Sequence, residues 1–166
     1  MDEVVTVNLK DEVTGTMARD EAHKNSVPHR IAVVYVENEI GEILIQIRKN
    51  GRYDHSSAGH VNPGEEYIET AKRDLSEELG IFVTELISIG KGKSEETTPE
   101  NEHIVHFFEV FVCTGEPGML NPDEVSGVFW AKPRAIHDEM NKDPYNLKFT
   151  GGFKESIHVY LKYKGL

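Results

Sequence analysis

The chain has 166 residues, with 18 Lys and Arg against 29 Asp and Glu and a formal net charge of −11. This length suffices for one domain with a real hydrophobic core, so we expect a single domain over residues 1–166. The acidic balance disfavours a nucleic-acid backbone as the main partner, and the sequence has no apolar stretch long enough to span a membrane.

The first part of the chain shows strand patterns separated by turns. Residues 4–9 alternate as a strand does, and residues 11–15 have the composition of a turn. Residues 30–37 are rich in β-branched and aromatic side chains, and a short turn joins them to a second apolar segment at 42–48. This pair predicts a hairpin, and the polar segment at 49–57 predicts a loop.

The rest of the chain mixes helices with strands, which argues for a sheet flanked by helices. A helix is predicted within residues 59–81, and Pro133 suits the first position of another. The remaining predicted elements are strands at 83–93 and 103–113 joined by an acidic loop at 94–102, a late strand at 125–131 containing Trp130, a helix from Pro133 to about 141, and a closing helix at 153–163.

Cysteine usage and the N-terminus predict a cytoplasmic protein. Cys113 is the only cysteine, so no intrachain disulfide can form, which is compatible with a reducing compartment. The first residues lack the basic region and apolar run of a secretory signal.

Three acidic residues near the end of the first predicted long helix are the most informative feature. Asp74, Glu77 and Glu78 are three and four positions apart, so their carboxylates lie on one side of that helix. Crowded carboxylates repel one another and take up protons unless a cation lies among them. Oxygen-only ligands favour Mg²⁺ or Mn²⁺, ions that bind a diphosphate and activate a water.

These residues belong to a longer pattern, which resembles the Nudix box Gly-x5-Glu-x7-Arg-Glu-hydrophobic-x-Glu-Glu-x-Gly-hydrophobic. A chance match is improbable because the pattern defines many positions over a long window. The one departure is Asp74, which stands where the family usually has Glu. The resemblance implies a Nudix α/β/α sandwich, with a mixed β-sheet flanked by helices. The positions in register are Gly59, Glu65, Arg73, Leu75, Glu77, Glu78, Gly80 and Ile81.

The resemblance also implies an enzymatic activity, hydrolysis of a phosphoanhydride bond in a nucleoside diphosphate or a related small molecule. Mg²⁺ (or Mn²⁺) is expected at Asp74, Glu77 and Glu78, with Gly59 in the same metal site. The ion would bind the diphosphate and lower the pKa of a bound water. Arg73 lies four residues before Glu77 and is expected to orient it through an ion pair.

Further candidate residues lie outside the box. Glu102 joins Glu77 and Glu78 as a candidate to accept the proton from the attacking water. Arg48 and Arg52 flank the loop before the box and are candidates for binding phosphate oxygens, with simple surface charge as the alternative. Three aromatic residues are candidates either for stacking on a base or for core packing: Tyr35, Tyr53 and Phe108.

A second group of residues resembles one branch of the superfamily, the isopentenyl-diphosphate isomerases and the hydrolases related to them. The matching pieces are Glu21-Ala22-His23, His29-Arg30, Gly59-His60, Glu100-Asn101-Glu102, and Asp123-Glu124-Val125 with Trp130. In the isomerases, histidines and a Glu-x-Glu pair at such positions bind a divalent metal. The resemblance therefore implies a second metal site at His23, His29, His60, Glu100 and Glu102.

Imidazole and carboxylate ligands together suit Mn²⁺, Zn²⁺ or Fe²⁺ better than Mg²⁺. The alternative for this second group is ordinary surface or capping use of its histidines and a solvated acidic loop. Surface use is also the interpretation of the remaining histidines in the second half of the chain: His103, His106, His137 and His158.

Two other functions compete with hydrolysis. The isomerases need a cysteine just before the Gly-His pair, and Ala58 stands there, while Cys113 lies at the end of a distant predicted strand. Because alanine carries no acid or base, the missing group favours the hydrolase. A non-catalytic nucleotide-binding module is the third hypothesis, favoured only by Asp74. The group attached to the diphosphate and the oligomeric state stay open.

Overall fold

The computed structural model describes residues 2–83 and 85–166. Within these residues no helix is both long and apolar enough to cross a membrane. The elements in chain order are β1 (Glu3–Val7), β2 (Val13–Ala18), α1 (Arg19–Lys24), β3 (His29–Glu37), β4 (Ile43–Arg48), β5 (Tyr53–Asp54), β6 (Ser57–His60), α2 (Tyr67–Leu79), β7 (Ile87–Thr97), β8 (His103–Thr114), β9 (Val125–Ala131), α3 (Pro133–Lys142) and α4 (Gly151–Lys164).

Strand β3 lies at the centre of a curled mixed sheet. It pairs in parallel with β8, from His29 opposite His106 onward, and antiparallel with β6, where Ile31 lies opposite His60. Strand β4 separates from β3 after the single pair of Glu37 with Ile43, and then pairs with β9 and β5. The predicted hairpin is therefore splayed, and a cleft opens between its two strands.

Helices cover both faces of this sheet. Alternate residues of β3 point to opposite faces, so Ala32 and Val34 pack against α2 while Val33 and Tyr35 pack against α4. Leu75 of α2 and Phe153 of α4 are both fully buried. The predicted α/β/α sandwich with a mixed sheet is thus confirmed.

Helix α2 has the boundaries that its sequence favours. Before its first residue, the backbone N–H of Glu66 donates to Glu69 Oε1 over 3.0 Å. At its end Gly80 is left-handed, with φ 64°, and its N–H returns to Leu75 and Ser76 carbonyls. These two ends define the extent of the helix, and its apolar residues Ala71, Leu75 and Leu79 face the sheet.

Several predicted boundaries differ from the structure. The predicted turn at 11–15 contains the start of β2, and α1 was not predicted, because six residues are too few for a clear helical period. The strand predicted at 83–93 begins at Ile87 and continues to Thr97, so it takes in part of the acidic loop. Thr84, inside that predicted strand, lies outside the described residues.

Candidate functional site

The acidic side of α2 lines a cavity of about 590 Å³ at the open end of the cleft between β3 and β4. Asp74 and Glu78 are buried, each 7% exposed, whereas the Glu77 side chain is 56% exposed. The predicted convergence of the three carboxylates is therefore not found among the described residues: two lie inside the cavity wall and one at its rim, and the three do not form a convergent ligand group. Other residues that line the cavity are Gln46, Arg48, Asp54, His55, Gly59, His60, Arg73, His106, Asp123 and Glu124.

Glu78 is held in place from strand β4. Gln46 Nε2 donates to Glu78 Oε1 and to the Ser56 carbonyl, both over 2.9 Å. Burial raises the pKa of Glu78 well above its ordinary value, and the negative charges of Asp74 and Glu124 raise it further. A bound cation would relieve this cost by favouring the ionised form.

Asp74 has one carboxylate oxygen paired and one free. Its Oδ1 accepts from Arg73 Nη1 over 3.1 Å, and its Oδ2 is buried with no hydrogen-bond partner among the described residues. Burial raises the pKa of Asp74 to about 7, an effect that Arg73 opposes and the neighbouring carboxylates Glu77 and Glu124 reinforce. An unpaired buried polar atom costs about 1–3 kcal/mol, so Oδ2 is a position where a ligand would be favourable.

Gly59 of β6 lies directly against this carboxylate. A Cβ built at Gly59 would overlap the Asp74 side chain, so only glycine leaves the room that the carboxylate occupies. Together, the free Oδ2, the glycine and the buried Glu78 form an oxygen-rich pocket. Its donor set fits Mg²⁺ or Mn²⁺.

Arg73 acts mainly on residues other than the predicted one. Its guanidinium binds both carboxylate oxygens of Glu65, with Nε and Nη2 at 3.1 and 3.0 Å, and it also reaches Asp74. The ion pair expected with Glu77 is longer, at 3.7 Å. Arg73 therefore ties the start of the box to its acidic end and positions Asp74 more closely than Glu77.

The two predicted phosphate-binding arginines differ in their surroundings. Arg48 lines the cavity, its side chain is 52% exposed, and its Nη1 lies 3.3 Å from Asp54 Oδ2. Arg52 is 12% exposed and donates to the carbonyls of Leu147 and Phe149 and to Glu96. Of these two arginines, Arg48 is the one whose guanidinium faces the cavity with a single ion-pair partner. Arg52 is better explained as a residue that holds the chain before α4 in place.

Three polar residues of the cavity wall are not among the predicted site residues. Asp54 and His55 lie in the segment predicted as a loop, yet both are buried, with Asp54 Oδ1 accepting from Thr150 Oγ1 over 2.7 Å. His55 Nδ1 lies 3.1 Å from Asp54 Oδ1, and burial lowers the pKa of this imidazole. Glu124 also lines the cavity. Its place in the isomerase-like motif was the available signal for it.

None of the predicted stacking aromatics lines this cavity. Tyr35 and Phe108 are buried in the core on the α4 side, and the Tyr35 hydroxyl is 2.7 Å from Ser156 Oγ. Tyr53 is half-buried and packs against Phe129 and Phe149. Of the two alternatives for these residues, the structure supports core packing.

Four histidines meet at one edge of the cavity. The nearest ligand nitrogens of His23, His29, His60 and His106 all lie within 4.8 Å of one another. The Nε2 atom of each is buried and has no hydrogen-bond partner within residues 2–83 and 85–166. Burial lowers the pKa of each imidazole, to about 4 for His29, so the four rings are held in the neutral form that can bind a metal.

This group differs from the predicted one in two ways. The assignment of His106 to surface use is wrong, because the parallel pairing of β3 with β8 places it opposite His29. Glu100 and Glu102 are exposed, and neither belongs to the convergent group found among the described residues. Glu102 is still close enough for its charge to raise the pKa of His23 against the effect of burial.

Comparison with known proteins gives the family. Residues 27–150 match the model of the NUDIX domain, so the chain belongs to the Nudix family. The isopentenyl-diphosphate Delta-isomerase of Pectobacterium atrosepticum is 29% identical over 160 residues, covering 92% of this chain and 87% of that protein. The Nudix hydrolase YfcD of Shigella flexneri is 30% identical over 146 residues, covering 78% of this chain and 73% of the relative.

A solved structure agrees with the fold. DR0079 of Deinococcus radiodurans superposes with a TM-score of 0.67 at 22% identity, over 85% of this chain and 90% of its own. The family membership supports hydrolase activity in general terms, while the relatives include proteins named as isomerases as well as hydrolases.

Proposed function

We propose that this protein is a Mg²⁺-dependent hydrolase, with Mn²⁺ as an alternative ion, which cleaves a phosphoanhydride bond in a nucleoside diphosphate or a derivative of one. The observation that carries the proposal is the buried pair of carboxylates, Asp74 and Glu78, beside Gly59. Asp74 Oδ2 has no partner in the part of the chain that the structure describes, and burial raises the pKa of both acids. This is the arrangement expected where a divalent cation supplies the missing charge.

The residues of the cavity would have separate roles in metal binding, phosphate binding and alignment. Asp74 and Glu78 would hold the ion, with Gln46 aligning Glu78 and Arg73 aligning Asp74. The ion, when bound, supplies neutralisation of phosphoryl charge and a lower pKa for an adjacent water. Arg48, partly exposed at the cavity, would bind phosphate oxygens and orient the diphosphate.

The proton acceptor is a carboxylate of the same cavity. Glu78 lies inside the wall and Glu77 at the rim, and both belong to α2. Glu102 is the less favoured candidate because it does not line the cavity and acts electrostatically on His23. Glu124 joins the candidates, since its charge acts on both buried carboxylates. Whichever residue accepts the proton, most of the rate enhancement would come from positioning and charge neutralisation.

Isomerisation of a diphosphate is the second candidate, favoured by the relatives that carry the isomerase name. It needs an acid in the cavity that can protonate a carbon–carbon double bond. Ala58 lines the cavity where the isomerases have cysteine. Cys113 packs on the α2 side of the sheet, and burial raises the pKa of its thiol to about 11. The surroundings of these two residues therefore favour hydrolysis.

The test is turnover of the purified protein with Mg²⁺ on nucleoside diphosphates, triphosphates, nucleotide sugars and isopentenyl diphosphate, with products identified by mass spectrometry. Glu78→Gln should abolish cleavage while the circular dichroism spectrum is kept. Glu155→Gln, an exposed change on α4, should leave cleavage unaltered. A rearranged isoprenoid with no phosphate released would replace the hydrolase with the isomerase. Tight nucleotide binding with no product at any Mg²⁺ concentration would indicate a binding module.

A further inference from the structure

The first turn of helix α4 forms part of the cavity wall, where Thr150 and Gly152 line the cavity. Thr150 is the residue before the helix, and its Oγ1 accepts from the Phe153 N–H over 3.2 Å. The same hydroxyl donates to Asp54 Oδ1 over 2.7 Å. The start of α4 is therefore held in a defined position by a cap that is bonded to β5.

Two backbone N–H groups at this helix start have no partner. A helix leaves its first N–H groups without internal acceptors, and the Thr150 side chain pairs with the N–H of Phe153. The N–H groups of Gly151 and Gly152 have no acceptor in the part of the chain that the structure describes. Because α4 is 14 residues long, the positive end of its dipole lies at these two donors.

The two glycines at this position have different explanations. Glycine is among the weakest helix formers, so each one needs a reason. A Cβ at Gly151 would lie 2.8 Å from Glu96 Cβ, so packing against β7 excludes a side chain there. A Cβ at Gly152 would make only an ordinary contact of 3.4 Å, with His55 Nε2. Packing thus does not require a glycine at position 152, and its missing side chain leaves room beside the cavity.

His55 is a second, independent sign of a ligand at this place. It is only 2% exposed, it lines the cavity, and neither ring nitrogen has a hydrogen-bond partner among the described residues. Its Nε2 faces Gly152, and its Nδ1 lies 3.1 Å from Asp54 Oδ1. Burial lowers the pKa of this imidazole, and the charge of Asp54 acts in the opposite direction. A second negative group at Nε2 would favour the imidazolium, which donates from both nitrogens.

The charges around the helix start favour an anion over a neutral ligand. Asp54 and Glu96 lie against this turn, and each is already paired with an arginine, Arg48 and Arg52 respectively. The groups left without partners are two N–H donors and an imidazole that becomes a donor beside a negative charge. Such a set at the positive end of a helix suits the oxygens of a phosphoryl group.

We propose that the N–H groups of Gly151 and Gly152, together with His55 and Arg48, bind one phosphoryl group. This anion site is opposite in charge to the acidic site on α2, and both lie in the same cavity. The phosphoryl group belongs either to the substrate or to a free phosphate ion, since both present the same oxygens. The first of these two sources rests on the proposed function, whereas the site itself does not.

The direct test is calorimetric titration of the full chain with inorganic phosphate, with a chelator present so that no metal contributes. We expect one phosphate per chain. Gly152→Ala should weaken binding roughly tenfold or more, because its methyl group would lie against His55 Nε2. The urea midpoint of this variant should equal or exceed that of the native protein, since alanine is the better helix former. Gly127→Ala, the same change outside the cavity, should leave phosphate affinity unaltered.

Two more variants locate the bound phosphate. His55→Leu should also weaken binding, because leucine is similar in size and cannot donate. Glu78→Gln should retain phosphate binding, since the acidic site is not used. The proposal is overturned if the native protein binds no phosphate, or if Gly152→Ala binds it as well as the native protein does. A clear loss of stability in Gly152→Ala would also overturn it, because packing would then explain the glycine.

Steady-state kinetics distinguish the two sources of the phosphoryl group. If the substrate supplies it, Gly152→Ala should raise KM for the diphosphate roughly tenfold. If free phosphate supplies it, KM should stay unchanged and inhibition by added phosphate should weaken instead. A protein that binds phosphate here but cleaves no diphosphate would refute the hydrolase alone. Turnover without phosphate binding to the metal-free protein would refute the anion site alone.

Discussion

The carboxylate of Asp74 occupies the space that a side chain at Gly59 would need, so only one of the two groups fits there. The backbone of β6 passes so close to Asp74 Oδ2 that a methyl group at Gly59 would overlap it. The same oxygen is buried without a partner in the described parts of the chain. The contact between strand and helix thus creates the free oxygen on which the proposed Mg²⁺ site depends.

Gly59→Ala should therefore act on the metal site. We expect a loss of turnover of roughly 100-fold or more and a loss of stability of about 1–3 kcal/mol, because the added methyl group must displace the carboxylate. Steady-state kinetics over a range of Mg²⁺ concentrations and chemical denaturation would measure both. Gly127→Ala is the matched control on β9, where the new Cβ would make an ordinary contact of 3.8 Å with Ile47. Equal effects of the two changes would contradict the role given to Gly59.

The contribution of Asp74 to the stability of the metal-free protein should fall as the pH rises from about 4 to about 7, opposite to the contribution of the buried histidines, whose pKa values are lowered. The pKa of Asp74 is raised from 3.8 to about 7, so in this window the folded state binds a proton that the unfolded state has lost. Stability then decreases with pH, by at most about 4 kcal/mol for this group. The difference in thermal unfolding between the native protein and Asp74→Asn, followed from pH 4 to pH 8, would show it.

Saturating Mg²⁺ should reverse most of that loss near pH 7, since the cation favours the ionised carboxylate. Asp74→Asn should remove the falling contribution of this carboxylate from the metal-free pH dependence and most of the Mg²⁺ effect. A pH profile unchanged by Asp74→Asn would show that another group causes it.

Substitutions of Arg48 and Arg52 should affect different quantities, substrate binding for Arg48 and stability for Arg52. Arg48→Ala is expected to raise KM about tenfold with little change in stability, because its guanidinium is half exposed at the cavity. Arg52→Ala is expected to lower stability by about 2–4 kcal/mol, because it leaves Glu96 and two backbone carbonyls without their donor. Kinetics and urea unfolding of both variants would test the contrast, and a pure KM effect of Arg52→Ala would restore its predicted role in phosphate binding.

Gln46→Leu should impair the alignment of Glu78. The hydrogen bond from Gln46 lowers the pKa of Glu78 against the effect of burial, so its loss should move that pKa further upward. We expect roughly tenfold lower kcat at neutral pH and an acidic limb of the pH–rate profile displaced to higher pH. Ile47→Val, at the next position of the same strand, is the control. An unchanged acidic limb in Gln46→Leu would place Glu78 outside the rate-determining ionisations.

Local patterns predicted much of the fold. Helix α2, the late strand with Trp130 and the closing helix were predicted. Their signals, the helical spacing, the terminal residues and the strand composition, depend only on residues close together in the chain. The short elements α1 and β5 were missed, because a few residues do not establish a period. The buried segment around Asp54 was mistaken for a loop, since polar residues near Gly51 resemble one.

The sequence by itself determined the family and the acidic helix, because the box places the carboxylates Asp74, Glu77 and Glu78 at consecutive turns of one helix. Only the tertiary structure decided which groups from distant segments share a space. His106 follows His29 by 77 positions and was assigned to the surface, yet parallel pairing of two strands brings them together. Glu102, close to His106 in the chain, lies outside the cluster. The register of the sheet, which depends on the packing of the whole core, decides that His106 joins the cluster and that Glu102 does not.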